Sequence, residues 1–190
     1  MRKIGALLFM TLGAVVFPCA AQVQGASMES LGLSLRLLVL LAVANTAPIA
    51  AKHVLGTRCN WPLDGGLRFF DGRPLLGPSK TVRGLVAAVA ATALAALLLG
   101  VAPAWGALMG AASMLGDALS SFAKRRLGIA SSEKATGLDQ IPEALLPLLA
   151  MQAALGLSWL QVFAITLVFF LLEMPLAWLS FRLGLRDRPY

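Results

Sequence analysis

Charge is scarce in this sequence of 190 residues, and its scarcity excludes an ordinary water-soluble globular domain. Charged residues make up 13% of the chain, about half the usual share, whereas 58% of the residues are hydrophobic and the mean hydropathy is +0.80. Apolar runs of about twenty residues recur, and each is long enough to cross the hydrocarbon core of a bilayer as a helix. The composition therefore predicts an integral membrane protein.

Histidine and cysteine are also rare, which excludes several kinds of chemical site. The one histidine, His53, lies at a predicted helix end, where an interfacial position without chemical consequence is the ordinary interpretation. The two cysteines, Cys19 and Cys59, lack metal-ligand spacing and lie in different kinds of segment, so neither a disulfide nor a thiolate site is predicted. Neither a Ser-His-Asp triad nor a Walker A loop is visible. Any chemistry must therefore rest on carboxylates, hydroxyls and cations.

The first 30 residues form a separate segment in the predicted organisation. Arg2 and Lys3 precede an apolar core over residues 4–17, and small residues follow at 19–21. This order is typical of a secretory signal peptide, and an uncleaved signal-anchor helix is the alternative. A short polar connector over residues 22–30 completes the segment.

Five further apolar runs predict the core of the protein. They cover residues 31–51, 85–101, 104–122, 141–156 and 159–181. We therefore predict an all-α, polytopic membrane domain over residues 31–182, with five core transmembrane helices. A basic tail over residues 183–190 follows it.

Basic residues are concentrated in three segments outside the predicted helices. Thirteen of the sixteen Lys and Arg residues lie in residues 52–84, in residues 124–134 and from residue 182 onward, whereas the turns near residues 103 and 157 have none. The positive-inside rule places all three basic segments in the cytoplasm. A net charge of +7 suggests nucleic acid as the partner of a soluble protein, but beside membrane spans the nearer partners are anionic head groups and phosphates. No nucleic acid is therefore predicted.

The stretch from residue 116 to residue 139, GDALSSFAKRRLGIASSEKATGLD, concentrates polar chemistry at the end of an apolar helix. Asp117, Ser121 and Lys124 are spaced i, i+4 and i+7, so a helix places them on one face, with Arg125 beside them. A carboxylate within a membrane segment is costly and indicates a functional site. A helix end that only sets topology is the alternative for the basic residues, but topology needs no acid at position 117.

The long polar stretch over residues 52–84 ends in GPSKTVRG. Lys80, Thr81 and Arg83 stand at the start of the next predicted helix, where free N–H groups and the positive end of the helix dipole favour a phosphate. Phe69 and Phe70 within the stretch predict an ordered loop that lies against the membrane rather than a flexible linker.

Two polar residues lie inside the predicted spans. Asn45 precedes Pro48 near the end of the first core helix, and a proline within a membrane helix frees a backbone carbonyl. Asn45 is therefore a candidate for lining a pocket, with an interhelical hydrogen bond as the alternative. Glu173 lies in the last span just before Pro175, where pairing with a cation is favoured over a catalytic role.

Two ordered blocks of sequence resemble a known enzyme family. Residues 79–84, SKTVRG, and residues 116–141, GDALSSFAKRRLG followed by LDQI, resemble the CDP-alcohol-forming cytidylyltransferases. The run FFDGRPLLGPSKTVRG is most similar to their CDP-archaeol synthase branch. That branch resembles the phosphatidate cytidylyltransferases, whose signature reads G-D-x-x-x-S-x-x-K-R followed by L-D-R-x-D. The resemblance spans residues 40–181 and implies CTP-dependent transfer of a cytidylyl group to a membrane lipid phosphate.

The resemblance also implies which residues act. It implies that Asp117 and Asp139 bind Mg²⁺ and form the catalytic set together with Lys124. The residues implied by the resemblance and those singled out above together give the predicted substrate-binding set. Its members are Asn45, Asp71, Lys80, Thr81, Arg83, Ser121 and Arg125. Two features depart from the family pattern. The second acid of L-D-R-x-D is replaced by Pro142, with Glu143 next to it, and the first 30 residues lie outside the resemblance.

The residue types agree with this chemistry independently of the family. A lipid phosphate that attacks the α-phosphate of CTP is already anionic, so it needs charge neutralisation and in-line positioning rather than a strong general base. We therefore predict an integral enzyme of the bacterial inner membrane, with its site facing the cytoplasm, that uses CTP, Mg²⁺ and a lipid phosphate. The bacterial type of N-terminus favours a phosphatidate-like or other non-archaeal phospholipid acceptor, and a homodimer is left open.

Two other functions are compatible with the apolar spans and the basic segments. A CDP-alcohol phosphotransferase would consume a CDP-lipid, but the D-G-x-x-A-R…G…D-x-x-x-D pattern of those enzymes is absent. A non-enzymatic transporter or scaffold could bind an anionic solute in a basic cavity, but internal inverted repeats are not visible. Release of pyrophosphate from CTP discriminates between the predicted enzyme and both alternatives.

The cytoplasmic placement of the basic segments can be tested by cysteine labelling. In a background in which serine replaces Cys19 and Cys59, Ser131→Cys and Gly156→Cys should react with a membrane-impermeant reagent from opposite sides of the membrane. We expect Ser131→Cys to be cytoplasmic, because Lys and Arg surround it and are absent around residue 156. Equal labelling of the two variants from outside would contradict both the topology and a shared rim for the two phosphate-binding segments.

Overall fold

Five α-helices joined by loops form the described part of the chain. The computed structural model describes residues 2–131, 133, 135, 137–182 and 184, and among them the side chains from residue 28 onward except those of residues 174, 176, 179 and 180. The helices are α1 (Arg2–Leu55), α2 (Val82–Leu98), α3 (Pro103–Arg126), α4 (Gln140–Leu155) and α5 (Trp159–Arg182). Strands are absent from these residues, which confirms the prediction of an all-α fold.

Helix α1 continues through a region where the sequence predicts a break. The backbone of residues 22–30, expected to be a polar connector, is helical. Gln, Ala, Met and Glu in this segment favour a helix, and it contains one glycine and no proline, so its polarity does not end the helix. Met1–Arg36 and Leu37–Tyr190 form two units, and the cavity described below lies in the second. Cleavage of a signal peptide stays a prediction, and the basic tail lies outside the described residues apart from Gly184.

The helices α2 to α5 coincide with the four predicted runs that follow the first core helix. Within the described residues, one helical stretch is long and apolar enough to cross a bilayer, Met28–Leu55 in α1. Val82–Leu98 and Trp159–Glu173 are apolar helical stretches of shorter length. The positions of α2 to α5 are therefore confirmed.

Small residues allow consecutive helices to pack closely. Helix α2 packs on α3, α3 on α4, and α4 on α5. A Cβ atom added at Gly106 of α3 would lie 2.4 Å from the carbonyl oxygen of Thr92, and one added at Gly110 would lie 2.8 Å from that of Ala88. Both distances are shorter than van der Waals contact, so only glycine permits this approach to α2. Contacts of this kind are common between membrane helices.

A third glycine, Gly116, brings α3 against the beginning of α4. A Cβ atom at this position would lie 2.3 Å from the carbonyl oxygen of Pro142 and 2.8 Å from the Cα atom of Glu143. The two backbones therefore touch directly at this point. Since Asp117 follows Gly116 in the chain, the contact places Asp117 beside the first turn of α4.

The loop between α1 and α2, residues 56–81, is ordered by a buried carboxylate. Asp64 is 7% exposed and accepts hydrogen bonds from the backbone amides of Gly66 (3.0 Å), Leu76 (2.9 Å) and Gly77 (3.1 Å). Burial by itself raises the pKa of the Asp64 carboxyl, but the amides outweigh burial and hold the pKa below its ordinary value. These hydrogen bonds agree with the predicted order of the loop.

Arg73 attaches this loop to the C-terminal end of α3. Its Nη1 atom donates hydrogen bonds to the backbone carbonyl oxygens of Arg125 (3.0 Å) and Arg126 (2.7 Å). The last carbonyl groups of a helix lack partners within the helix and carry partial negative charge. The guanidinium group therefore both satisfies and stabilises the helix end that carries the predicted site cations.

Arg126 is held by the same loop. Its guanidinium carbon lies 4.7 Å from the ring centre of Phe69 and 4.9 Å from that of Phe122, and its Nη2 atom donates to the carbonyl oxygen of Pro74 (2.7 Å). Its Nη1 atom lies 3.2 Å from a carboxylate oxygen of Asp71. Cation–π contacts and an ion pair thus fix the loop against α3.

Gly116→Ala should destabilise the protein, because the added methyl group forces α3 and α4 apart. Overpacking of this kind costs about 1–3 kcal/mol, so the unfolding temperature in detergent should fall by several degrees. Gly32→Ala is the matched control: Gly32 is helical and an added Cβ meets no atom within 4 Å, so stability should stay the same or rise. Equal unfolding temperatures for Gly116→Ala and the unaltered protein would contradict the close contact between α3 and α4.

Candidate active site

One cavity of about 960 Å³ collects almost all of the predicted site residues. Its walls come from the end of α1, the loop before α2, the second half of α3, the segment that leads into α4, and α5. The predicted residues that line it are Asn45, Lys80, Thr81, Arg83, Asp117, Ser121, Lys124, Arg125 and Asp139. Two blocks of sequence that lie far apart in the chain therefore meet at one site, as predicted.

The first ion pair of the cavity joins the two blocks. The Nζ atom of Lys80 lies 2.5 Å from a carboxylate oxygen of Asp117, and both side chains are about one-fifth exposed. Lys80 comes from the loop before α2, whereas Asp117 lies on α3. The cation predicted to bind phosphate thus neutralises a carboxylate predicted to bind metal.

The second ion pair repeats this arrangement at the other predicted metal ligand. The Nζ atom of Lys124 lies 2.7 Å from a carboxylate oxygen of Asp139 and donates to the carbonyl oxygen of Glu133 (3.2 Å). The other carboxylate oxygen of Asp139 accepts from the backbone amide of Ala135 (3.1 Å). Lys124 is 7% exposed, so its charge is balanced almost entirely by these protein groups.

The helical spacing of the 116–139 block places its side chains as predicted. Asp117, Ser121 and Lys124 all line the cavity from one face of α3, and Ser121 is 2% exposed. Arg125, also buried, donates from Nη2 to the carbonyl oxygen of Ala130 (3.0 Å). Its Nε atom is buried without a hydrogen-bond partner among the described residues. This face of α3 therefore presents a carboxylate, a hydroxyl and two cations to one cavity.

Thr81 and Arg83 line the cavity and also support its walls. Thr81 is the N-cap of α2, and its Oγ1 atom accepts from the backbone amide of Gly84 (3.3 Å). Arg83 donates from Nη1 to the carbonyl oxygens of Gly56 (2.6 Å) and Arg58 (2.8 Å), just beyond the end of α1. These two residues therefore hold the N-terminus of α2 at the cavity.

Asn45 faces the cavity from α1. Its Nδ2 atom is buried and has no hydrogen-bond partner among the described residues. The structure thus favours the pocket-lining interpretation of Asn45 over an interhelical hydrogen bond from this nitrogen.

The structure does not bring Asp71 to the site. Asp71 lies outside the cavity lining, accepts a hydrogen bond from the backbone amide of Arg73 (3.0 Å) and pairs with Arg126. The prediction that it binds substrate is therefore corrected to a role in fixing the loop. The resemblance gave the position of Asp71 in the chain but not the direction of its side chain.

Three acidic residues of the cavity were not assigned to the site from the sequence. They are Glu133, Glu143 and Glu173. Glu143 is 5% exposed and lies four residues after Asp139, a spacing that puts two side chains on the same face of a helix. That spacing is the signal by which sequence reasoning could have found it.

Comparison with known proteins places the chain among enzymes of lipid synthesis. A family model described as CarS-like, CDP-archaeol synthase, matches residues 30–106 and 104–190. A CDP-archaeol synthase of Hyperthermus butylicus is 43% identical over 117 residues, which cover 58% of this chain and 67% of the relative. A CDP-archaeol synthase of Aeropyrum pernix is 35% identical over 156 residues, which cover 78% of this chain and 86% of the relative.

A solved structure supports the same assignment at the level of the fold. It is described as an intramembrane enzyme for archaeal membrane lipids biosynthesis, and it superposes with a TM-score of 0.60 at 32% sequence identity. The similarity covers 72% of this chain and 90% of that chain. The family match begins at residue 30, so the first 29 residues lie outside it, close to the expected limit of the resemblance.

Proposed function

Because the chain belongs to the CDP-archaeol synthase family, we propose that it transfers a cytidylyl group from CTP to a membrane lipid phosphate, giving a CDP-activated lipid and pyrophosphate. The observation that carries this proposal is the single cavity in which Lys80 and Lys124 meet Asp117 and Asp139. A CDP-alcohol phosphotransferase is not favoured, since the relatives are named as synthases of a CDP-lipid.

The reaction is a displacement at phosphorus. An oxygen of the lipid phosphate attacks the α-phosphorus of CTP and forms a new P–O bond, while the bond from that phosphorus to the oxygen bridging the β-phosphate breaks. Pyrophosphate leaves with this oxygen and the electron pair of the broken bond. Both reactants are anionic, so the protein mainly has to neutralise charge and align them, and no side chain has to remove a proton.

The cations of the cavity are suited to this task. The ion pairs hold the ammonium groups of Lys80 and Lys124 at two different places in one cavity. When CTP enters, its phosphate oxygens can replace the carboxylates as partners of these lysines, because phosphate and carboxylate oxygens both accept charge-assisted hydrogen bonds from ammonium groups. The Nε atom of Arg125 and the N-terminus of α2 at Thr81 supply further donors.

Mg²⁺ is the metal that these carboxylates fit, and Asp117 and Asp139 would hold it. Carboxylate oxygens, together with oxygens of a substrate phosphate and water, are the ligands that Mg²⁺ prefers. The ion, when bound, neutralises charge on the reacting phosphates. Within the described residues no three His, Cys, Asp or Glu side chains are grouped as a metal site, and a lysine engages each aspartate. Transfer of the two lysines to substrate phosphates frees both carboxylates for the ion.

The membrane arrangement is proposed from the distribution of charge and from the apolar helices. The relatives support a membrane location, and we propose that all five helices cross the bilayer with the loops over residues 56–81 and 127–139 in the cytoplasm. The basic residues of these loops support that orientation. The proposal of a bacterial inner membrane rests on the N-terminal segment alone, because the relatives named above are archaeal.

The function is tested with purified protein in detergent, CTP, Mg²⁺ and a lipid phosphate. Pyrophosphate should be released, and mass spectrometry should find the CDP-lipid in equal amount. Omission of the lipid phosphate should abolish both products, which distinguishes transfer from hydrolysis of CTP. No release of pyrophosphate with either phosphatidate or an archaeal ether phosphate would contradict the proposed function.

The acceptor is tested by offering both lipids in the same assay. Ether-linked isoprenoid and ester-linked acyl lipids present the same phosphate to the site, so only the tails distinguish them. The bacterial type of N-terminus predicts preferential turnover of phosphatidate, although the relatives are named for archaeol. A strong preference for the archaeal ether phosphate would overturn that prediction and leave the reaction type intact.

Asp117→Asn and Asp139→Asn should each lower the rate by about 10²-fold or more, because loss of a metal ligand removes several kcal/mol of transition-state stabilisation. Asparagine keeps the size of the side chain but removes one ion pair, so the unfolding temperature of each variant is measured and the rates are compared at equal amounts of folded protein. The double variant should be little worse than either single one, because the two residues act through one ion. Asp71→Asn, which changes an acid outside the cavity, is the control and should keep nearly full activity. Near-normal turnover by either single variant at saturating CTP would remove that aspartate from the site.

A further inference from the structure

Glu143 is a buried carboxylate that the proposed mechanism does not yet use. It lines the cavity from the first turn of α4, and its side chain is 5% exposed. Among the described residues it makes no hydrogen bond and no ion pair. Its charged neighbours are Asp117, Glu173, Lys80 and Asp139, of which three are acids. The side chain thus points into the candidate site without a partner of its own.

A charged carboxylate that is buried among other acids is stabilised by a cation. Buried charges in proteins are paired or coordinate metals, because transfer out of water is otherwise too costly. Two lysines of the cavity already form ion pairs, Lys80 with Asp117 and Lys124 with Asp139. Their charges balance those two aspartates one for one. Glu143 is therefore left without an ion-pair partner of its own among the described residues, since Lys80 pairs with Asp117, and an added cation would supply one.

The position of Glu143 in α4 relates its backbone to both aspartates, although the three carboxylates are not grouped as a metal site among the described residues. Asp139 is the N-cap of α4, and residues three and four positions further on lie on the same helical face. The L-D-R-x-D signature places its second acid three positions after the first, where this chain has Pro142. A carboxylate one residue later remains on that face. The contact of Gly116 with Pro142 and Glu143 brings the same turn against Asp117.

We propose that Glu143 is a ligand of the divalent cation at Asp117 and takes the place of the acid that Pro142 has replaced. This assignment rests on the proposed function for the identity of the site, and it adds a residue that the family signature does not contain. It also gives the cation carboxylates from two helices whose backbones touch at Gly116, so that its ligands are held by a direct backbone contact.

The test measures cation binding separately from catalysis. Mn²⁺ is titrated into the protein in detergent at a fixed, saturating concentration of CTP and without the lipid phosphate, and its binding is followed by electron paramagnetic resonance. Glu143→Gln should weaken Mn²⁺ binding at least tenfold, whereas Glu143→Asp, which keeps the charge, should weaken it less. Glu133→Gln is the matched control, because Glu133 lines the same cavity but is exposed and accepts a hydrogen bond from the amide of Ala130. Its Mn²⁺ affinity should stay within about twofold of the unaltered protein, an expectation that follows from solvent screening of an exposed charge.

A second measurement locates the cation in the unaltered protein and does not depend on the folding of any variant. Fe²⁺ replaces Mg²⁺, and ascorbate with peroxide then generates radicals that cut the backbone close to the metal. Cuts around both residue 117 and residue 143 support the proposal. Cuts around residue 117 without any around residue 143 overturn it.

The outcomes separate this inference from the proposed function. Mn²⁺ binding by Glu143→Gln that equals binding by the unaltered, active enzyme overturns the role of Glu143 and leaves the cytidylyltransferase assignment standing. An unaltered protein that binds Mn²⁺ through Glu143 but forms no CDP-lipid contradicts the proposed function and not the metal ligand.

Discussion

Every buried charge in a largely apolar protein needs a partner, and this requirement organises the structure. Lys80 reaches from the loop before α2 to Asp117 on α3, and Lys124 reaches from α3 to Asp139 at the start of α4. Two ion pairs therefore connect the loop before α2, helix α3 and the start of α4 at one rim. The same groups that stabilise the cavity are the ones suited to phosphate and metal, so stability and chemistry depend on a single set of side chains.

Much of the fold could be predicted because the local sequence indicates where a membrane helix begins and ends. Apolar runs end at proline, glycine or charged residues, and α2 to α5 lie where those runs lie. The face of α3 that carries Asp117, Ser121 and Lys124 followed from helical spacing alone. The continuity of α1 could not be predicted in this way, because polar residues at 22–30 favour a helix as readily as a connector.

Long-range contacts account for what the sequence did not reveal. Asp64 orders its loop through amides twelve and thirteen residues away, and Arg73 bonds to carbonyl groups 52 and 53 residues away. Motif spacing carries no information about such contacts, which is why Asp71 was assigned to the substrate although its carboxylate pairs with Arg126. Glu143 was missed for a related reason: a shift of one residue breaks a signature but keeps a helical face.

The backbone contact at Gly116 makes the geometry of the site independent of the side chains on the outer surface of the helices. Pro142 and Glu143 meet Gly116 backbone to backbone, so no side-chain volume sets the spacing between α3 and α4 there. Exposed apolar residues of the same helices, such as Leu115, Leu119 and Ile141, can therefore be exchanged without moving Asp117 relative to the first turn of α4. An enzyme built in this manner can adapt its outer face to bilayers of different composition while one arrangement of reacting groups persists.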